Sequence, residues 1–207
     1  MTIPRRRRAL AAALAGTAVV LTGCAVPGQD GSPSTAVSYQ DTDISNERVS
    51  DLYTAWTSQG HVSVTRRGVL TLEVMREPML DNLERLGIQY SRDYMEDLAA
   101  ELMRSEAVEG QPTEELVDGV EAAYLMGAYG LADTTGTLLP EIAQSVEDEA
   151  VTSTRTGDFS EAELITTLNL VMPSASNRLN MSDPLWITEF TGVNAFVEPD
   201  EDWIASE

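Results

Sequence analysis

Residues 65–91 read TRRGVLTLEVMREPMLDNLERLGIQYS, and this stretch decides the predicted fold. Thr65 can cap the start of a helix over 66–86, and Gly87 can end it. Pro78 lies inside the helix and lacks a backbone donor, so we expect a kink or a division there. The apolar positions recur every three or four residues, the period of one buried helix face: Val69, Leu72, Met75, Met79, Leu83 and Leu86.

Further helices are predicted on both sides of this one. The same periodicity and capping signals indicate helices over 46–58, from Ser91, from Thr113, over 137–149 and over 161–171. Pro173 is expected to close the last of them. Val37–Gln40 alternates in polarity, which is typical of a short strand.

The predicted fold class is mainly α, a multi-helix bundle with a short strand at its N-terminal edge. Residues 37–173 would form one helical domain. From 174 to 207 the periodicity stops, and Trp186, Phe190, Phe196 and Trp203 are scattered among polar residues. We expect this C-terminal segment to be irregular, adding strands or packing its aromatic side chains across the helices.

The N-terminal residues indicate export. Arg5–Arg8 are basic, and Ala9–Leu21 is an uncharged apolar run of 13 residues, the layout of a secretory signal. Such a run is short for a bilayer core of roughly 30 Å. It ends in Leu21-Thr22-Gly23-Cys24, which resembles the lipobox of bacterial lipoproteins.

This resemblance implies a signal peptide over 1–23 and a lipid on Cys24, the only cysteine of the chain. Residues 24–36 are rich in Pro, Gly and Ser and predict a flexible tether. The expected location is the extracytoplasmic face of the cell membrane, reached through the lipid anchor alone. The alternative is an ordinary signal peptide, or an uncleaved anchor, with an incidental cysteine. The sequence is compatible with export by either the Sec or the twin-arginine route.

The charge is strongly acidic. The chain contains 34 Asp and Glu residues, 13 Arg residues and no Lys, which gives a formal net charge of −21. Nucleic-acid binding depends on cationic contacts to phosphate, so we exclude it. Anionic lipid head groups would also repel the chain, so membrane attachment depends on the lipid.

Candidate catalytic and metal-binding residues are few. His61 is the only histidine, which excludes a multi-histidine metal site, and it lies in a predicted exposed turn. The acidic runs Glu147–Glu149 and Asp200–Asp202 lack the spaced ligands of a calcium loop and are expected to be solvated. We therefore expect no enzyme, no metal and no cofactor. Five methionines lie at helical spacing and are either core or an adaptable apolar binding surface: Met75, Met79, Met95, Met103 and Met126.

The order of features resembles the SurA N-terminal-like domain of bacterial lipoproteins and extracytoplasmic foldases. A short strand, a helix beginning near Ser45 and a long helix lead to a Gly-Ile-x-x-Ser joint at Gly87, Ile88 and Ser91. The resemblance covers about residues 36–105. It departs from the family at the Gln40–Asp43 turn, which lacks glycine, and at Pro78. The parvulin isomerase domain that often follows resembles nothing in this chain.

The resemblance implies chaperone-like binding of unfolded or newly exported polypeptides, without prolyl isomerase activity. An apolar groove lined by methionine and aromatic side chains would receive the client segments. The second hypothesis is a non-catalytic accessory or structural subunit of a cell-envelope complex, whose helices dock one fixed protein partner.

Overall fold

The computed structural model describes residues 34–153 and 155–197, and the fold is mainly helical, as predicted. The predictions for the signal peptide, for Cys24 and most of the tether, for Asp200–Asp202 and for Trp203 lie outside these residues. The elements are β1 Thr35–Tyr39, β2 Thr42–Ser45, α1 Asn46–Ser58, α2 Arg66–Asp81, α3 Leu83–Leu86, α4 Arg92–Ser105, α5 Glu114–Ala132, α6 Leu138–Glu149, β3 Val151–Thr152, α7 Glu161–Asn180 and a 3₁₀ helix Pro184–Gly192.

Several predicted helix ends are confirmed by their capping contacts. The hydroxyls of Thr65, Thr113 and Ser160 each accept a hydrogen bond from a backbone N–H of the first turn that follows. Gly87 has a left-handed backbone with φ of 71° and ends α3. Such a φ costs glycine no steric strain, which explains why it occupies this position.

The effect of Pro78 was predicted at the wrong place. Helix α2 continues through Pro78 to Asp81, and the division from α3 falls at Asn82. The Asn82 side chain donates to the carbonyl of Pro78 at 2.9 Å, and its backbone bonds to Met79. These hydrogen bonds satisfy carbonyl groups at the end of α2, so the helix ends where they form.

The end of α7 was also predicted wrongly. The helix runs through Pro173 to Asn180, so the segment after 174 is not wholly irregular. An interior proline costs about 3 kcal/mol, and tertiary contacts offset this cost. Ala175 is fully buried, and Arg178 donates to Asp183 at 2.7 Å and to Glu189 at 2.9 Å, which ties α7 to the 3₁₀ helix.

A small antiparallel sheet with strand order β2-β1-β3 covers the N-terminal edge. The predicted strand begins earlier, at Thr35, so the predicted tether ends before residue 36. Thr42 and Asp43, expected in a turn, instead pair with β1, and the Ser38 hydroxyl donates to Asp43 at 2.5 Å. Only the pairing makes β2 a strand, because four mostly polar residues carry little signal of their own.

Helix α5 forms the centre of the domain and contacts α1, α2, α4, α6, α7 and the 3₁₀ helix. Two glycines allow large rings to approach it closely, Gly119 against Trp56 and Gly127 against Trp186. The expected packing of C-terminal aromatics on the helices is confirmed for Trp186 and Phe190, which are buried. Phe196 is buried against Phe159, to which it is joined by an isolated β-bridge.

All five methionines of the predicted apolar surface are buried. Met75, Met79 and Met126 have no exposed area, and Met95 and Met103 have almost none. They belong to the core, so the predicted methionine-lined groove is wrong. A core face and a groove use the same helical spacing, and only packing separates them.

Candidate functional site

The most concentrated polar feature of the described chain is an arginine–carboxylate cluster. We define it as Arg48 of α1, Glu73 and Arg76 of α2, Arg92 of α4, and Asp118 and Glu121 of α5. It joins four helices at one side of the core, and three guanidinium groups meet three carboxylates, so its formal charge is balanced.

Asp118 and Glu121 each receive two guanidinium groups. Arg48 and Arg92 donate to the two oxygens of Asp118 at 2.5 Å and 2.6 Å. Arg76 and Arg92 donate to the two oxygens of Glu121 at 2.7 Å and 3.1 Å. These two carboxylates on α5 therefore hold arginines from the other three helices of the cluster, α1, α2 and α4.

The third carboxylate is less completely paired. Arg48 donates to Oε1 of Glu73 at 2.9 Å. The Oε2 atom of Glu73 lies 3.5 Å from Nε of Arg76, and both atoms are buried without a hydrogen bond. Glu73 and Arg76 thus contact one another as an ion pair of imperfect geometry.

The environment of the cluster stabilises its ionised groups. Burial opposes ionisation of Asp118, but hydrogen bonds from Arg48 and Arg92 outweigh it and hold its pKa below the usual value. Ionised Asp118 therefore stabilises the folded protein at pH values above the ordinary pKa of an aspartate. This stabilisation is lost as the pH falls through the lowered pKa of Asp118. Burial, with a hydrogen bond to Glu121, raises the pKa of Tyr90 to about 12.

The cluster is suited to holding helices together rather than to chemistry. Each guanidinium is engaged by carboxylates, and the hydroxyl of Tyr90 donates to Glu121. A catalytic base or an anion site would need a carboxylate or guanidinium free to meet a substrate. Breaking such a buried pair leaves an uncompensated charge, so the cluster fixes α4 against α5.

Beside the cluster, aromatic side chains extend from the core to the surface. We call Tyr90, Tyr94 and Tyr124 the tyrosine edge. Tyr94 contacts Tyr124 edge-on with ring centroids 5.8 Å apart, and Tyr124 lies 6.0 Å from Trp186. Glu121 and Tyr124 are one turn apart on α5, so their partners Tyr90 and Tyr94 contact neighbouring turns of the same helix.

A cavity of about 190 Å³ lies between the β1–β2 hairpin, α2 and α6. Its lining includes Tyr39, Ile44, Glu77, Asp81 and Ile142. Pockets for small organic ligands are usually about 300 Å³ or larger. The cavity is therefore too small to define a ligand site.

The remaining sequence-predicted positions do not converge. His61 is exposed in a loop, as expected, with Nδ1 3.9 Å from Glu106. Glu147–Glu149 are exposed, and a Glu147 oxygen accepts from the backbone N–H of Glu161 at 2.6 Å. Within residues 34–153 and 155–197, no group of three or more His, Cys, Asp or Glu side chains could hold a metal ion.

Sequence reasoning missed the arginine–carboxylate cluster entirely. The available signal was Asp118 and Glu121, two carboxylates inside the most apolar long helix, between Leu116 and Ala123. Charged residues in such a helix are rarely buried unless they are paired. Their arginine partners are 26 to 70 residues away in the chain, and no local pattern connects them.

Comparison with known proteins gives no match, whether to protein-family models, to curated proteins or to solved structures. The fold and the cluster define the chain as a small helical domain fixed by a buried ionic cluster. None of the helices described has both the length and the apolar character needed to cross a membrane.

Proposed function

We propose that this chain is a membrane-anchored extracytoplasmic lipoprotein whose helical domain binds unfolded or newly exported polypeptides in a chaperone-like manner. It acts without a catalytic site, a metal or a cofactor. The observation that carries the proposal is the tyrosine edge, an exposed aromatic surface on a rigid support. The SurA-like order of elements and the lipobox-like sequence at Cys24 add support.

The chemistry of the tyrosine edge suits polypeptide segments. Tyr94 is 46% exposed, and tyrosine supplies a large contact area at low conformational cost. The edge is held in place from behind, because Tyr124 packs on buried Trp186, and Tyr90 is bonded to Glu121. Tyrosine and arginine are the residue types that dominate binding hot spots.

Charge near the edge indicates the kind of client. Glu114 contacts Arg92 but is 79% exposed, and Asp93 and Asp97 are exposed beside Tyr94. With the net charge of −21, this surface favours segments that combine aromatic or aliphatic side chains with Lys or Arg. Acidic segments would be repelled.

The burial of the methionines favours a second candidate. Adaptable binding surfaces often use flexible methionine side chains, and here all five lie in the core. A rigid surface of few residues suits one fixed partner. The alternative is therefore an accessory subunit of a cell-envelope complex that docks at the same edge.

Lipidation is tested at Cys24. In the full-length chain expressed in a bacterium that lipidates proteins, we expect Cys24→Ala to abolish acyl labelling and to release the protein from the membrane fraction. The physical reason is that two or more acyl chains give stable anchoring. Membrane association of the Cys24→Ala protein, together with no acyl mass on Cys24 in the wild type, would contradict the prediction.

Client binding is tested by suppression of aggregation. The lipoprotein in detergent should slow aggregation of a basic unfolded model protein at near-stoichiometric amounts. The double change Tyr90→Ser and Tyr94→Ser should weaken this effect by about tenfold, the loss expected for a hot spot. Val151→Ser is the matched control, because Val151 is 45% exposed but lies in β3, away from the edge.

Three outcomes would change the proposal. If the double variant suppressed aggregation as well as the wild type does, the tyrosine edge would not be the client-binding surface. No suppression by the wild type, with one stoichiometric partner crosslinked in cells, would select the accessory subunit. Measurable acceleration of proline isomerisation, which takes tens of seconds or longer when uncatalysed, would contradict the proposed lack of isomerase activity.

A further inference from the structure

The outer face of α7 differs from the rest of the acidic surface because it carries no charge. From residue 166 to the C-cap at 181, the one charged residue is Arg178, which is bound to Asp183 and Glu189. By contrast, the exposed faces of α1, α4 and α6 each carry at least two Asp or Glu side chains. The exposed residues of this stretch are Thr166, Asn169, Leu170, Pro173, Ser174, Asn177, Leu179, Asn180 and Met181.

Four of these residues form a seam along the helix, namely Leu170, Ser174, Asn177 and Met181. Their intervals of four, three and four residues follow the alternating spacing of the a and d positions in a two-helix contact. Leu170 is 76% exposed and Met181 is 65% exposed, more than any other large apolar side chain in the part of the chain that the structure describes. Apolar residues therefore lie at both ends of the seam and small or polar ones at its centre.

We propose that this seam is the interface of a homodimer, in which α7 packs antiparallel against α7 of a second copy. The intervals read the same in both directions, as a two-fold axis requires. Leu170 of each copy then contacts Met181 of the other, and Ser174 contacts Asn177. The central serines let the helices approach closely, and their hydroxyls can bond to the asparagine amides.

Electrostatics selects a second copy as the occupant. Two chains of net charge −21 repel wherever their carboxylates meet. The seam is a surface where they can touch without like charges facing one another. A basic partner would gain nothing from an uncharged seam and would bind better on the acidic faces.

The dimer is expected to be weak and to depend on the membrane. Two heptads of one helix bury less than the roughly 1,200 Å² of a stable interface. Anchoring both copies to one membrane raises their effective concentration and offsets this weakness. The structure thus assigns α7 to dimerisation, whose dependence on the membrane rests on the proposed lipid anchor, and leaves the tyrosine edge free for clients.

Register is tested with cysteine pairs in the full-length lipoprotein in membranes. The double change Leu170→Cys and Met181→Cys should give a disulfide-linked dimer on mild oxidation. Each single change should give at most a trace, because position 170 does not face its own copy. An internal disulfide is excluded because eleven residues of helix separate the two sulfurs by about 16 Å.

Specificity is tested by placing charge on the seam. Leu170→Glu should reduce photocrosslinking into dimers at least tenfold, because each copy would place an unpaired carboxylate against the apolar side chain of Met181 in the other copy. Leu179→Glu is the matched control. Leu179 is exposed on the same helix, but its side chain is on the opposite side of the helix axis from Leu170. Absence of dimers in the wild type, an equal effect of the two changes, or crosslinks from the seam only to another protein would overturn the proposal.

Discussion

Replacing Glu121 with alanine should lower the free energy of unfolding by about 3–5 kcal/mol, the usual cost of removing one partner from a buried ionic group. The side chain of Glu121 is 2% exposed and accepts from Arg76, Arg92 and Tyr90. Its loss removes the acceptor of one N–H group of Arg76, of one N–H group of Arg92 and of the Tyr90 hydroxyl, while each arginine keeps another carboxylate partner. Urea unfolding followed by circular dichroism measures the effect.

The control for this prediction contacts the same arginine. Glu114 accepts from Arg92 at 2.8 Å, but it is largely exposed, so Glu114→Ala should cost about 1 kcal/mol or less. If the two changes were equally mild, the cluster would not fix α4 to α5, and its structural role would be wrong.

The second large effect is expected at Gly127. A Cβ at this position would lie 2.2 Å from Cζ3 of Trp186 and 2.6 Å from Cε2 of Phe190. Gly127→Ala should therefore lower the free energy of unfolding by about 2–3 kcal/mol, because the rings are held in a dense core. The near-ultraviolet signal of the tryptophans should change with it.

Gly130 supplies the matched control on the same helix. There the nearest atom to an added Cβ is Sδ of Met172 at 2.8 Å, at the flexible end of its side chain. The methionine can move, and alanine favours the helix by about 1 kcal/mol over glycine. Gly130→Ala should thus be near neutral, and a loss as large as that at Gly127 would contradict the steric explanation.

The experiments distinguish a failure of the proposed client surface from a failure of the proposed dimer interface. The tyrosine edge lies on α4, α5 and the connection that leads into α4, whereas the seam lies on α7. Loss of aggregation suppression without loss of dimers identifies a failure at the edge. Loss of dimers with suppression intact identifies a failure at the seam.

The sequence by itself determined the helices and most of their starts. Thr65, Thr113 and Ser160 cap helices because their hydroxyls accept bonds from nearby backbone groups, and these contacts are local. The apolar stripes were equally local, since a period of 3.6 residues is a property of one helix. These features could be predicted because each depends on residues a few positions apart.

Tertiary structure alone decided the rest. Helix α7 passes Pro173 because Ala175 is buried and Arg178 binds the 3₁₀ helix. Asp118 is buried because Arg48 lies against it, 70 residues away in the chain. The methionine stripes became core rather than groove because neighbouring helices cover them. In each case the deciding contact joins residues far apart in sequence, and the energy of that contact exceeds the local preference that the sequence shows.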